Sequence, residues 1–142
     1  MIGRFARQSM LALTLALLAG CGDDDSTGPD EGIAGVYTLL TINGQQLPVV
    51  VQQQGSDRAE ITQGSVTINE NGTFTDVTQV RFTISGQVSN DTETASGTWT
   101  RTGSTLQFSP TSPSGSTPYT MTWDGDDRLT QVFQGFTLVY ER

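Results

Sequence analysis

The chain has 142 residues, with seven arginines, no lysine, no histidine and fifteen acidic residues, for a formal charge of −8. A surface that acidic is repelled by phosphate backbones and anionic headgroups, which excludes nucleic-acid binding as a working expectation. With a single cysteine as well, there is no ordinary base for a serine nucleophile, no Schiff-base amine and no His or Cys metal site, so neither an enzyme nor a carrier of metal or cofactor is expected.

Taken in chain order, residues 1–20 come first, with Arg4 and Arg7 ahead of an apolar run over 10–18 that is too short to span a bilayer. Leu18-Ala19-Gly20-Cys21 closes that run. This order resembles the lipobox of bacterial lipoproteins. The resemblance implies recognition of Leu18, Ala19 and Gly20 by a signal peptidase and cleavage before Cys21. It further implies a diacylglyceryl thioether on the Cys21 sulfur and acylation of the new amino terminus, with palmitate the kind of chain involved. An ordinary secretory leader with an incidental cysteine is the alternative. Cys21 has no second cysteine with which to form an intramolecular disulfide. Loss of 1–20 removes two arginines and no acid, so the formal charge moves from −8 to −10.

Residues 21–32 read as a flexible acidic tether, with Asp23, Asp24, Asp25, Asp30 and Glu31 among small residues and no apolar periodicity. Several acyl chains on Cys21 would make attachment to a membrane effectively permanent. The expected location is the cell envelope. Gly22 in place of an aspartate after the cysteine favours the outer membrane, by family analogy, if the host has two membranes.

Residues 33–142 form one domain-sized stretch in which Thr, Val, Ile, Phe, Tyr and Trp alternate with polar residues, and Gly, Asn, Asp, Ser and Pro punctuate about every ten residues. Strands are predicted over 36–42, 47–52 and 58–69. Asn43-Gly44 ends the first, Pro48 sets the second at an edge or bend, and Val66 and Ile68 share a face of the third. Asn71-Gly72 turns into a strand over 73–84, with Phe74, Val80, Phe82 and Ile84 on one face and Arg81 opposite. Residues 85–93 read as a polar loop. Strands over 94–102, with Trp99, and 105–108 follow, then a long Pro, Ser and Gly-rich loop over 109–118. Tyr119, Met121 and Trp123 alternate in the next strand. A turn at 124–127 leads to strands over 128–133 and 136–140, with Phe136, Leu138 and Tyr140 on one face.

The fold expected is all-β: a single antiparallel up-and-down β-barrel of eight or nine strands, since nearly every connection is a short hairpin and closure removes the sheet edges. A two-layer sandwich is the alternative. Gly35-Val36-Tyr37-Thr38-Leu39, Asn43-Gly44-Gln45-Gln46-Leu47-Pro48, Gly72-Thr73-Phe74, Gly97-Thr98-Trp99 and Thr137-Leu138-Val139-Tyr140, in that order, are similar to the small lipocalin-like lipoproteins of bacteria. That resemblance implies a lipocalin-like barrel over 33–142 whose cup holds a small apolar molecule.

The inward-facing side chains are large and apolar enough either to fill an eight-stranded barrel or to line a pocket within it, and both readings stay open. If there is a pocket, Tyr37, Phe82, Trp99, Tyr119 and Trp123 are its candidate walls. Arg101, in phase with Trp99, is placed to pack on an aromatic ring or to pair with Asp76 at a barrel end, or else to reach water. Asp124-Gly125-Asp126-Asp127 lacks the spacing of an EF-hand loop and reads as a solvated turn. Two functions follow. One is a membrane-anchored, monomeric barrel that binds a small hydrophobic ligand. The other is a non-enzymatic structural or inhibitor-like lipoprotein with a filled barrel that meets an envelope protein.

Overall fold

The computed structural model describes residues 32–111 and 117–142. The expected leader over 1–20, Cys21 and the expected tether, up to residue 31, and residues 112–116 lie outside the described residues. The strands are β1 (Gly35–Ile42), β2 (Gln45–Gln46), β3 (Val49–Gln54), β4 (Asp57–Ile68), β5 (Thr73–Ile84), β6 (Gln87–Thr102), β7 (Thr105–Pro110), β8 (Tyr119–Trp123), β9 (Arg128–Phe133) and β10 (Phe136–Glu141). All pairings are antiparallel.

Eight strands close a barrel. β4 to β10 pair in chain order, β10 pairs with β1, and β1 returns to β4. β2 and β3 are additions: β2 pairs with the end of β1 and β3 with the start of β4. The barrel, and not the sandwich, is therefore the solution this chain adopts to its sheet edges. Asn43-Gly44, with φ of 52° and 76°, supplies the two positive dihedrals of a turn whose twist matches the strands it joins.

Departures from the sequence reading concern β6, β2 and β7, the last of which runs past residue 108, through the start of the expected loop, to Pro110. Residues 87–93, expected as loop, extend β6 to 16 residues and pair with β5 one for one, from Ile84↔Gln87 to Thr78↔Glu93. Only Ser85-Gly86 turns, again with both φ values positive, at 51° and 79°. The segment is polar because both its faces meet water, so it lacks the alternation that betrays a half-buried strand. The two residues of β2 are too few to leave a pattern.

The core fills the end of the barrel where β1 begins. Ile33 lies beneath it, fully buried, and its carbonyl accepts a hydrogen bond from the Tyr37 hydroxyl at 2.8 Å. Phe74 meets Phe108 edge-on at 4.9 Å, and Phe108 stacks on Tyr119 at 5.1 Å. Trp99 is buried and donates its indole N–H to the Asn69 carbonyl at 3.0 Å. Arg142 crosses the base, bonded to the carbonyls of Gly32 and Ala34, with its guanidinium over the Tyr37 ring. This end is closed.

A half-open cleft at the far end of the barrel

The opposite end is built from strands that stop pairing before they stop. β1 and β4 pair only from Gly35↔Ile68 to Thr38↔Ser65; beyond that level β1 turns to β2 and β4 to β3. The Leu39 side chain packs into the resulting seam, over the bare Cα of Gly64, where a Cβ would stand 2.9 Å from Leu39 Cδ2. On the other flank β7 ends at Pro110, opposite Gly97, while β6 runs on alone with β5. β8 and β9 pair only at Thr122↔Thr130 and Trp123↔Leu129, so the later half of β9 is held by β10 alone. Among the described residues no strand fills the wall between β6 and the end of β9. The barrel therefore opens into a cleft between two sheets, β9-β10-β1-β2 on one side and β3-β4-β5-β6 on the other.

Strand alternation carries the apolar inner face of the barrel out onto both walls. Ile42, Leu138 and Phe136 face Ile61 and Val51 across a cavity of about 190 Å³, with Phe133 at its rim. Farther out on the β3-β4-β5 wall, Ala59, Phe82 and Ile84 floor a second hollow of about 280 Å³, rimmed by Gln52, Gln54, Asp57 and Arg58. Gln52 borders both. Phe133 and Ile84 are 51% and 56% exposed, large values for such side chains at the rim of an apolar concavity.

Polar side chains also stand among the inward-facing positions of β5, β8 and β9. Asp76, on the inner face of β5 between Phe74 and Val80, accepts a hydrogen bond from the Tyr119 hydroxyl at 2.9 Å. Burial pushes the Asp76 carboxyl above its ordinary value, and the Tyr119 bond offsets part of that rise. Tyr119 and Tyr140 have their ionisation pushed up too, first by burial and then by the nearby Asp76 charge. Gln131 alternates inward with Leu129, opposite Leu138, and is 8% exposed.

Of the five candidate wall residues, Phe82 lines the outer hollow, while Tyr119 packs against the core, stacked on Phe108. Tyr37 and Trp99 belong to the packed core of the closed end. Trp123 sits at that same end, its indole N–H on the Asp126 carbonyl at 3.1 Å and the Arg101 guanidinium 4.7 Å from its ring centroid. Arg101 thus packs on an aromatic ring, while Asp76 takes Tyr119 as its partner instead. Asp124 caps its own turn, accepting the backbone N–H groups of Asp126 and Arg128, and no cluster of three metal-ligating side chains exists among the described residues. Ile42, Ile61 and Phe136 were not singled out as wall residues from sequence. The parity of Phe136 with Leu138 was the one signal available. Cys21, Leu18, Ala19 and Gly20 lie outside the described residues. Comparison with protein-family models, with curated proteins and with solved structures finds no match for this chain.

Proposed function

We propose that this protein is a lipid-anchored envelope lipoprotein, held at Cys21, whose lipocalin-like barrel binds a small hydrophobic molecule in the cleft at its open end. The observation that carries the reading is that, among the described residues, the barrel walls do not pair above Pro110 and Thr122, and apolar side chains of both sheets face one another across a cavity. A barrel built only as a scaffold gains nothing by exposing Phe133 and Ile84 there. The two hollows, about 190 and 280 Å³, together fall in the lower part of the size range of small-molecule sites, and they combine apolar walls with a few polar side chains at their rim. The action proposed is binding without catalysis, by a monomer, with no cofactor.

The test is titration of the chain with the fluorescent apolar probe ANS, followed by displacement with fatty acids. Saturable enhancement, reduced severalfold by Phe133→Ser and competed by an added ligand, is the expected result. Enhancement that never saturates, or that Phe133→Ser leaves untouched, would refute the cleft as the site. Intrinsic tryptophan fluorescence is the wrong reporter, because Trp99 and Trp123 both lie at the closed end.

The filled lower half of the barrel favours the second reading, an interaction protein that works through its outer surface. In that reading the far half of β6, which among the described residues is paired on one side only, is the place where an envelope partner meets the chain. Crosslinking in cells from position 90 distinguishes the two, since a carrier yields no protein adduct there.

A further inference from the structure

We propose that the ligand of the cleft is a single-chain amphiphile with an uncharged, hydroxyl-bearing head, of the class of a monoacylglycerol or an alkyl glycoside, its tail in the inner hollow and its head in the outer one. The proposal rests on the ligand-binding reading above and names the chemical class of the ligand.

The two hollows differ in what they offer, and the register of the β3-β4-β5 wall is the cause. Val49, Ile61 and Val80 stand side by side on its inner face, all apolar. One step outward the row is Gln52, Ala59 and Phe82, continued on β6 by Ser89. One step farther Gln54 stands opposite Asp57, and Ile84 opposite Gln87. The wall thus passes from apolar to mixed between Ile61 and Ala59, about 7 Å of strand rise. Gln52 borders both hollows, so one molecule of modest length can lie across the change. Its tail then rests among Ile42, Ile61 and Leu138, and its head over Phe82 and Ile84.

The polar groups of the outer hollow decide which head fits. Its two charges are opposite in sign and both engaged: the Asp57 carboxylate accepts the Ser85 N–H at 2.8 Å, and the Arg58 guanidinium lies 3.2 Å from the Glu60 carboxylate. A charged head would shed water there without gaining an unengaged counter-charge. Gln52 and Gln54, in contrast, are exposed and make no hydrogen bond to another described residue. A primary amide donates two hydrogen bonds and accepts two, and a hydroxyl does both as well, so a head with several hydroxyls can bond to both glutamines in either sense. The Phe82 ring and Ile84 give the carbon face of such a head an apolar floor.

The experiment is calorimetric titration of the full chain, near neutral pH and below the concentrations at which the probes aggregate, with octyl glucoside, octanol, octanoate and octylamine, which share a tail, and with glucose. Octyl glucoside is expected to bind roughly tenfold tighter than octanol, the worth of one or two net hydrogen bonds, with octanoate and octylamine weaker than octanol. The double variant Gln52→Ala, Gln54→Ala should bring octyl glucoside to the level of octanol and leave octanol unchanged, whereas Phe133→Ser, at the tail, should weaken both alike. Octanol or either charged probe binding as tightly as octyl glucoside, or a preference that survives the double variant, overturns the head-group assignment and leaves the hydrophobic-ligand reading standing. Glucose binding as tightly as octyl glucoside overturns the amphiphile, and absence of binding by all the octyl probes overturns the proposal and the reading it rests on.

Discussion

Asp76 and Glu60 stand on opposite faces of neighbouring strands and respond to pH in opposite senses. Glu60, 7% exposed between two guanidinium groups, is held below its ordinary value, chiefly by the Arg81 hydrogen bond. It therefore stabilises the fold at neutral pH and loses that contribution as acid protonates it. Asp76 is raised by burial. Between its ordinary value, about 3.9, and its higher folded one, the native chain holds a proton that the unfolded chain has released, so stability falls as pH rises through that window. Asp76→Asn removes the penalty and still accepts the Tyr119 hydroxyl proton. Thermal melts at a series of pH values should show the variant level with the parent in acid and progressively more stable above pH 4. A difference that stays flat with pH would mean that the Asp76 carboxyl is not desolvated in the native chain.

At the scale of the elements, the point of tightest constraint is where β6 passes β7. A Cβ at Gly97 would stand 2.1 Å from the Ser109 carbonyl oxygen and 2.8 Å from the Pro110 Cα, both backbone atoms that no rotamer change can move. Gly97→Ala must therefore prise the two strands apart just where the wall ends, at a cost of about 2 kcal/mol or more. A fall in Tm of roughly 10 °C, read by circular dichroism, is the expected result. Gly64→Ala, whose neighbour is the flexible Leu39 side chain, should cost less. The same strands show what a sequence can and cannot disclose. Alternation made β1, β4, β5, β8 and β10 legible, because each buries one face and wets the other. It missed the first half of β6, which wets both. It also says nothing about where two neighbouring strands cease to pair, and the cleft is made by just such endings, at Pro110, Thr122 and Thr38. Tyr37 and Trp99 consequently look like pocket walls in sequence and prove to be core. Asp76 could be put on the Phe74 face from parity alone, but its Tyr119 partner, 43 residues away, emerges only when the barrel closes.

Viewed whole, the molecule divides its labour between its two ends. The closed end carries the packed aromatics, Ile33 and the Arg142 strap, and it receives the chain at residue 32. If attachment is through Cys21, Cys21→Ser should move the protein from the membrane pellet to the soluble fraction, with the melting temperature of the barrel unchanged. Recovery of the variant with the membranes would show that something other than the thioether holds it there. The cleft lies at the other end, past Ile42, one barrel length from residue 32. For a chain tethered through Cys21, the point of attachment then lies at the end opposite the opening, which leaves the cleft free to face away from the leaflet that carries the anchor. Cargo would then be captured from the surrounding aqueous compartment and not drawn up from the host bilayer. Hand-off to an apposed membrane, or to a soluble acceptor, would require no inversion of the domain on its leash.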